Sequence, residues 1–130
     1  MITLEDYFGS HTLTSLPDQA TKDNALDLLS KVNALLREID LPEAISPKVN
    51  SGWRPAHYNV TIPGAALRSK HITGQAIDLA DPEGALDDYL FNHPELLIQH
   101  GLFMEHPLAT KNWQHLQSVS PRSGRRIFFP

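Results

Sequence analysis

An α+β fold, in which a small antiparallel sheet packs against helices, is what this 130-residue chain predicts. Three observations carry the expectation. One long segment near the N-terminus has helical apolar spacing, several short segments further on alternate or read as strands, and no repeat or low-complexity stretch interrupts them. The length suits a single domain over residues 1–130, large enough for a core without disulfides.

Residues 1–17 read as irregular and end at Pro17. From about Thr21 to Ile39, apolar residues Ala25, Leu28, Leu29, Val32, Leu35, Leu36 and Ile39 recur on one helical face. Asp18 or Thr21 suits the cap of that helix, and Pro42 lies just beyond its end. "ISPKVNSGW" (45–53) reads as a short strand entering a turn, and 55–70 as loop. "QAIDLA" (75–80) alternates, which sets Asp78 on one face with Ala76 and Ala80. A helix is expected over Pro82 to Phe91 behind Asp81 as cap, and a further turn or two over Pro94 to Gln99. "GLFMEH" (101–106) and "NWQHLQ" (112–117), joined by "PLATK", look like a hairpin. A last strand is expected through residues 126–129.

Composition excludes several classes of function. There are no cysteines, so disulfide scaffolds, thiolate metal sites and a cysteine nucleophile are out. Net charge is −4 and the only basic cluster is Arg122, Arg125 and Arg126, which argues against nucleic acid as partner. No apolar run is long enough to span a bilayer. The opening "MITLEDYFGS" lacks a basic region followed by an apolar one, so the expectation is synthesis in a cytoplasm without a signal peptide.

Seven histidines is a generous number for such a chain. Asp78 lies between Ile77 and Leu79, where a carboxylate is costly unless it is paired, hydrogen-bonded or bound to a cation. His71 lies upstream, with Gly74 allowing the chain to bend between them, and His115 is central in its strand, sharing a face with Trp113 and Gln117. Two imidazoles and a carboxylate that leave one position open form a recurrent catalytic zinc arrangement. On spacing alone, a turn histidine followed by a capping or ion-paired aspartate is the better-supported reading, because H-x(6)-D is a loose pattern. His11, His93, His100 and His106 sit beside turns or helix ends and read as polar surface residues.

The residues also resemble a known family. Ser69-x-His71-x-x-Gly74-x-Ala76-x-Asp78 is similar to the signature of zinc D-alanyl-D-alanine carboxypeptidases and dipeptidases. The same group holds phage L-alanyl-D-glutamate endolysins and the amino-terminal domain of Hedgehog proteins. "SGWRP" (51–55) resembles the group's element upstream of the first ligand, and "WQH" (113–115) the element carrying the last one. The likeness is strongest to small single-domain phage members.

The resemblance implies a hydrolase that cleaves peptide bonds in peptidoglycan stem peptides, with one Zn²⁺ held by His71, Asp78 and His115. It implies that Arg54 stabilises the oxyanion and that Ser69 orients a ligand or the substrate; Ser51, Trp113 and His57 are further candidates to line a substrate cleft, with Trp113 by default a core aromatic and His57 a polar loop residue. With no signal peptide expected, action on the cell wall would follow lysis or assisted export, and a monomer is the expected state. Many members carry a glutamate three residues before the last ligand, where this chain has Asn112, which cannot act as a base. Glu105 is the only acidic residue between Glu95 and the C-terminus and lies across the expected hairpin from His115, so it is the expected base. A zinc-stabilised module without hydrolysis is the alternative that Asn112 raises.

Overall fold

The computed structural model describes residues 1–39 and 47–130, and its architecture is α+β. The first seventeen residues are not irregular. They hold α1 (Leu4–Phe8) and a 3-10 turn (Gly9–Leu13). Five residues are too few for a visible period, but Thr3 and Asp6 form a capping box: Thr3 Oγ1 accepts from the Asp6 amide at 3.1 Å and Asp6 Oδ2 from the Thr3 amide at 2.9 Å.

The long helix α2 (Gln19–Glu38) follows the predicted stripe, and Asp18 is its cap, accepting from the Thr21 amide at 2.8 Å. Its Ala25, Leu28, Leu29, Val32 and Leu35 are buried. Each such leucine contributes roughly 1.5–3 kcal/mol relative to exposure. Pro42 lies outside the described residues, as do positions 45 and 46 of the expected strand, which is observed as β1 (Val49–Ser51). The segment 55–70 contains a one-turn helix, α3 (Ala56–Asn59). Buried Asn59 pins the rest of that loop by donating to the Ala66 carbonyl at 2.8 Å.

Next come β2 (Ala76–Ala80), α4 (Ala85–Asn92), α5 (Pro94–Gln99), β3 (Phe103–Glu105), a 3-10 turn (Pro107–Ala109), β4 (Trp113–Gln117) and β5 (Ile127–Phe128). The start of α4 differs from expectation, with residues 82–84 forming a turn instead of the first helical turn. Asp81 still caps it at a distance, because its two carboxylate oxygens accept from the Leu86 and Asp87 amides.

The sheet runs in the order β1-β2-β4-β3-β5. Its first three pairings are antiparallel, and the short β5 adds to β3 in parallel, so the sheet is mixed. Ile77, Leu79, Met104 and Leu116 point into one core with the α2 stripe and Leu86, Leu90 and Leu97. Strand alternation therefore turns Asp78, His115, Gln117 and Glu105 to the opposite face.

Candidate metal centre

Sheet register and one bend bring the three predicted ligands together. Asp78 pairs directly with His115 across β2 and β4, and continuing the β3–β4 register by one residue sets Glu105 on the other side of His115. His71 arrives from the loop before β2 through Gly74, whose φ of 77° is in the left-handed region. A side chain at Gly74 would also meet the Thr21 carbonyl of α2 at 2.6 Å.

Asp78 Oδ1 is 2.8 Å from His115 Nδ1, and Asp78 Oδ2 is 3.3 Å from His71 Nε2. His71 donates from Nδ1 to the Gly52 carbonyl at 2.7 Å, which leaves Nε2 with a lone pair. That Nε2 is buried, and its one polar neighbour is Asp78 Oδ2 at 3.3 Å. A tetrahedral ion with bonds of about 2.0–2.1 Å needs donor atoms roughly 3.3 Å apart. One donor atom from each of His71, Asp78 and His115 lies within 4.8 Å of the others, so the set fits a metal ion. Two imidazole nitrogens converging on one carboxylate suit a shared cation, and an imidazole–carboxylate ion pair is the structural alternative.

The local field matches this arrangement. Burial pushes the Asp78 carboxyl upward, but hydrogen bonds and charge from His115 and His71 outweigh it and hold it well below the usual carboxylate range. Burial pushes His115 down, and the hydrogen bond and charge of Asp78, helped by Glu105, reverse that and raise it. Glu105 is raised, chiefly by burial, with His115 opposing.

These groups open into a cavity of about 890 Å³. Arg54, Ser69, Glu105 and Trp113 line it. The Arg54 guanidinium lies 3.5 Å from Ser69 Oγ, and Ser69 Oγ also accepts from the His71 amide at 3.2 Å. Two expected residues stand apart. Ser51 is half-buried at the end of β1, paired in register with Asp78, and His57 is exposed on α3; neither lines the cavity. Asn112 is exposed, has φ of 77° and leads into β4. Its identity is explained by backbone conformation, because asparagine is enriched in the left-handed region.

Four contributions were not foreseen. The Gly52 carbonyl orients His71. Trp53 Nε1 donates to the Ile72 carbonyl at 3.0 Å and holds the ligand loop. Gln117 Oε1 lies 2.9 Å from His115 Nε2. Phe128 of β5 walls the cavity edge-on to His115, with ring centres 6.3 Å apart. Only Gln117 had a signal, its shared strand face with His115.

An α+β domain that presents two imidazoles, a carboxylate, a glutamate and an arginine in one cavity has the donor set of a metal-dependent hydrolase. The peptidase M15 family model matches residues 8–117, and the chain belongs to that family, whose members are zinc peptidases. No curated protein and no solved structure matches the chain.

Proposed function

We propose that this protein is a zinc metallopeptidase that cleaves peptide bonds in peptidoglycan stem peptides, as a D-alanyl-D-alanine carboxypeptidase or an L-alanyl-D-glutamate endopeptidase. The observation that carries the reading is the convergence of His71 Nε2, Asp78 and His115 Nδ1 beside Glu105 and Arg54. His71, Asp78 and His115 would hold one zinc ion. Bound zinc supplies Lewis acidity and brings the pKa of its water to about 7.

The remaining chemistry belongs to the chain. Glu105 takes a proton from the attacking water and delivers it to the leaving amine, a task suited to a carboxyl raised by burial. Arg54 faces the cavity with a fixed charge and steadies the negative charge that develops on the carbonyl oxygen. Ser69 holds Arg54 and the His71 backbone in mutual register. Trp113 and Phe128 supply apolar walls that limit water around the reacting groups.

The reading extends to a single-domain, monomeric, phage-type enzyme that reaches the wall after lysis or by assisted export. Supporting it is the likeness to small phage members; among the described residues, no helix is long and apolar enough to cross a membrane. A zinc-stabilised binding module is the alternative. It loses its main support because Asn112 has a conformational reason to be there.

Mass spectrometry of muropeptides after incubation with zinc-loaded protein names the bond cut. Glu105→Gln is expected to lower turnover about 10²–10⁴-fold while zinc stays bound. Absence of bound zinc, or a Glu105→Gln variant with full activity, overturns the proposal; stoichiometric zinc with no turnover on any fragment favours the module.

A further inference from the structure

Gln117 is buried on β4, two residues beyond His115 and on the same face. Its Oε1 lies 2.9 Å from His115 Nε2, and its own Nε2 donates to the Val119 carbonyl at 2.8 Å. The far end of this chain sets its direction. A backbone carbonyl only accepts, so Gln117 must turn its NH₂ toward Val119 and its Oε1 toward the imidazole. An amide oxygen also only accepts, so His115 must carry hydrogen on Nε2.

Without that relay, the neutral ring has a better choice. Asp78 Oδ1 is 2.8 Å from Nδ1, and a charge-assisted bond from Nδ1–H to a carboxylate is stronger than one between neutral groups. It would, however, occupy the nitrogen that faces the site and leave the lone pair on Nε2, which points away. His71 meets the same requirement in one step, since the Gly52 carbonyl accepts from Nδ1 and frees Nε2. Both histidines are thus aimed by a backbone carbonyl, one directly and the other through a side-chain amide.

We propose that Gln117 is a positioning residue that keeps a hydrogen on His115 Nε2, so that Nδ1, the nitrogen lying against Asp78, is the one freed for a metal. The inference rests on the zinc reading for its functional consequence, but its structural half is a property of the metal-free protein.

The test uses the full chain with Gln117→Leu, which removes the acceptor at similar volume, and Gln117→Glu, which keeps it. Zinc affinity is measured by chelator competition, and the His115 form by nitrogen NMR of metal-free protein at a pH where the ring is neutral. Gln117→Leu is expected to weaken zinc binding about 10–100-fold. Gln117→Glu recovers most of that loss, and neutral His115 shifts from Nε2–H to Nδ1–H in the leucine variant alone. Wild-type affinity in Gln117→Leu or an unchanged Nε2–H form in that variant overturns the assignment. A wild-type protein that binds no zinc sinks the zinc reading instead, and the NMR comparison still decides the part of Gln117.

Discussion

At the scale of single residues, Gly52 joins the N-terminal helix to the metal centre. A Cβ there would lie 1.9 Å from the Tyr7 carbonyl oxygen and 2.8 Å from its carbon. The same Tyr7 oxygen accepts from the Trp53 amide at 3.1 Å, so α1 and the start of the ligand loop are locked at close range. Because the Gly52 carbonyl is also the acceptor for His71 Nδ1, any shift that relieves the clash tilts a ligand. Gly52→Ala is therefore expected to destabilise the metal-free protein by roughly 3 kcal/mol and to weaken zinc binding together with it. Urea denaturation and a zinc titration check this, and an alanine variant with unchanged midpoint and affinity would refute it. The three residues of the candidate metal centre were legible in the sequence because His71, Gly74 and Asp78 lie within one local motif and His115 within a short strand. The supports were not, since Gly52 acts through Tyr7 and His71, which are 45 and 19 positions away. Asn112 shows a reason that sequence does not record: besides lacking a carboxylate, it occupies a left-handed turn, and Glu105 lies on the neighbouring strand.

Among the elements, α4 carries a pH-dependent strain that its sequence only hints at. Asp87, in its first turn, is buried; Oδ2 accepts from Thr110 Oγ1 at 2.9 Å while Oδ1 has no partner. Burial, reinforced by the charges of Asp81, Asp88 and Glu105, pushes its pKa up to about 7 despite the Thr110 hydrogen bond. An aspartate that binds its proton more tightly when folded stabilises fully below its unfolded pKa near 4, and that contribution is lost as pH rises toward 7. Asp78 has the opposite sign: its depressed pKa stabilises above about 4 and is lost as pH falls through the lower folded value. The metal-free protein is therefore expected to lose on the order of 2 kcal/mol between pH 5 and 8. Asp87→Asn, which keeps the Thr110 contact, should flatten that fall. Urea midpoints at the two pH values decide it, and equal slopes in the two proteins would exclude Asp87 as the source. How far each element could be read follows its length and its partners. α2 declares itself through a stripe of seven apolar positions, whereas α1 rests on a capping box and tertiary contacts that no periodicity records. The start of α4 was misplaced because Asp81 reaches its amides across the turn at 82–84. The parallel pairing of β5 depends on where the chain returns after β4, which local alternation does not encode.

For the molecule as a whole, the sheet separates two environments: one face is apolar core, and the other carries the cavity. Charge is divided just as unevenly, and the overall balance hides it. The chain has a net charge of −4, yet the cavity is lined by Arg54, Arg68, Lys70 and Arg122 against only Asp78 and Glu105. Among the described residues, none of these four cations is in an ion pair. They are scattered from position 54 to 122 and form a group only once the ligand loop and the segment after β4 close over the same cavity. The acidic composition that argues against nucleic acid therefore says nothing of the mouth, where an anionic ligand would meet a locally positive field. Exposed rim charges act mainly on encounter and are screened by salt, with a Debye length of about 10 Å at 0.1 M. Cleavage of a peptide bearing free carboxylates is expected to lose efficiency several-fold as ionic strength rises from 0.02 to 0.5 M, through KM and not kcat. Arg122→Glu should raise KM several-fold at low salt, leave kcat within about twofold, and remove most of the salt dependence. A matched peptide with its carboxylates amidated should show neither effect. Kinetics on the peptide pair separate the possibilities, because equal salt dependence on both peptides, or an Arg122→Glu change confined to kcat, would mean that the rim cations do not select the substrate.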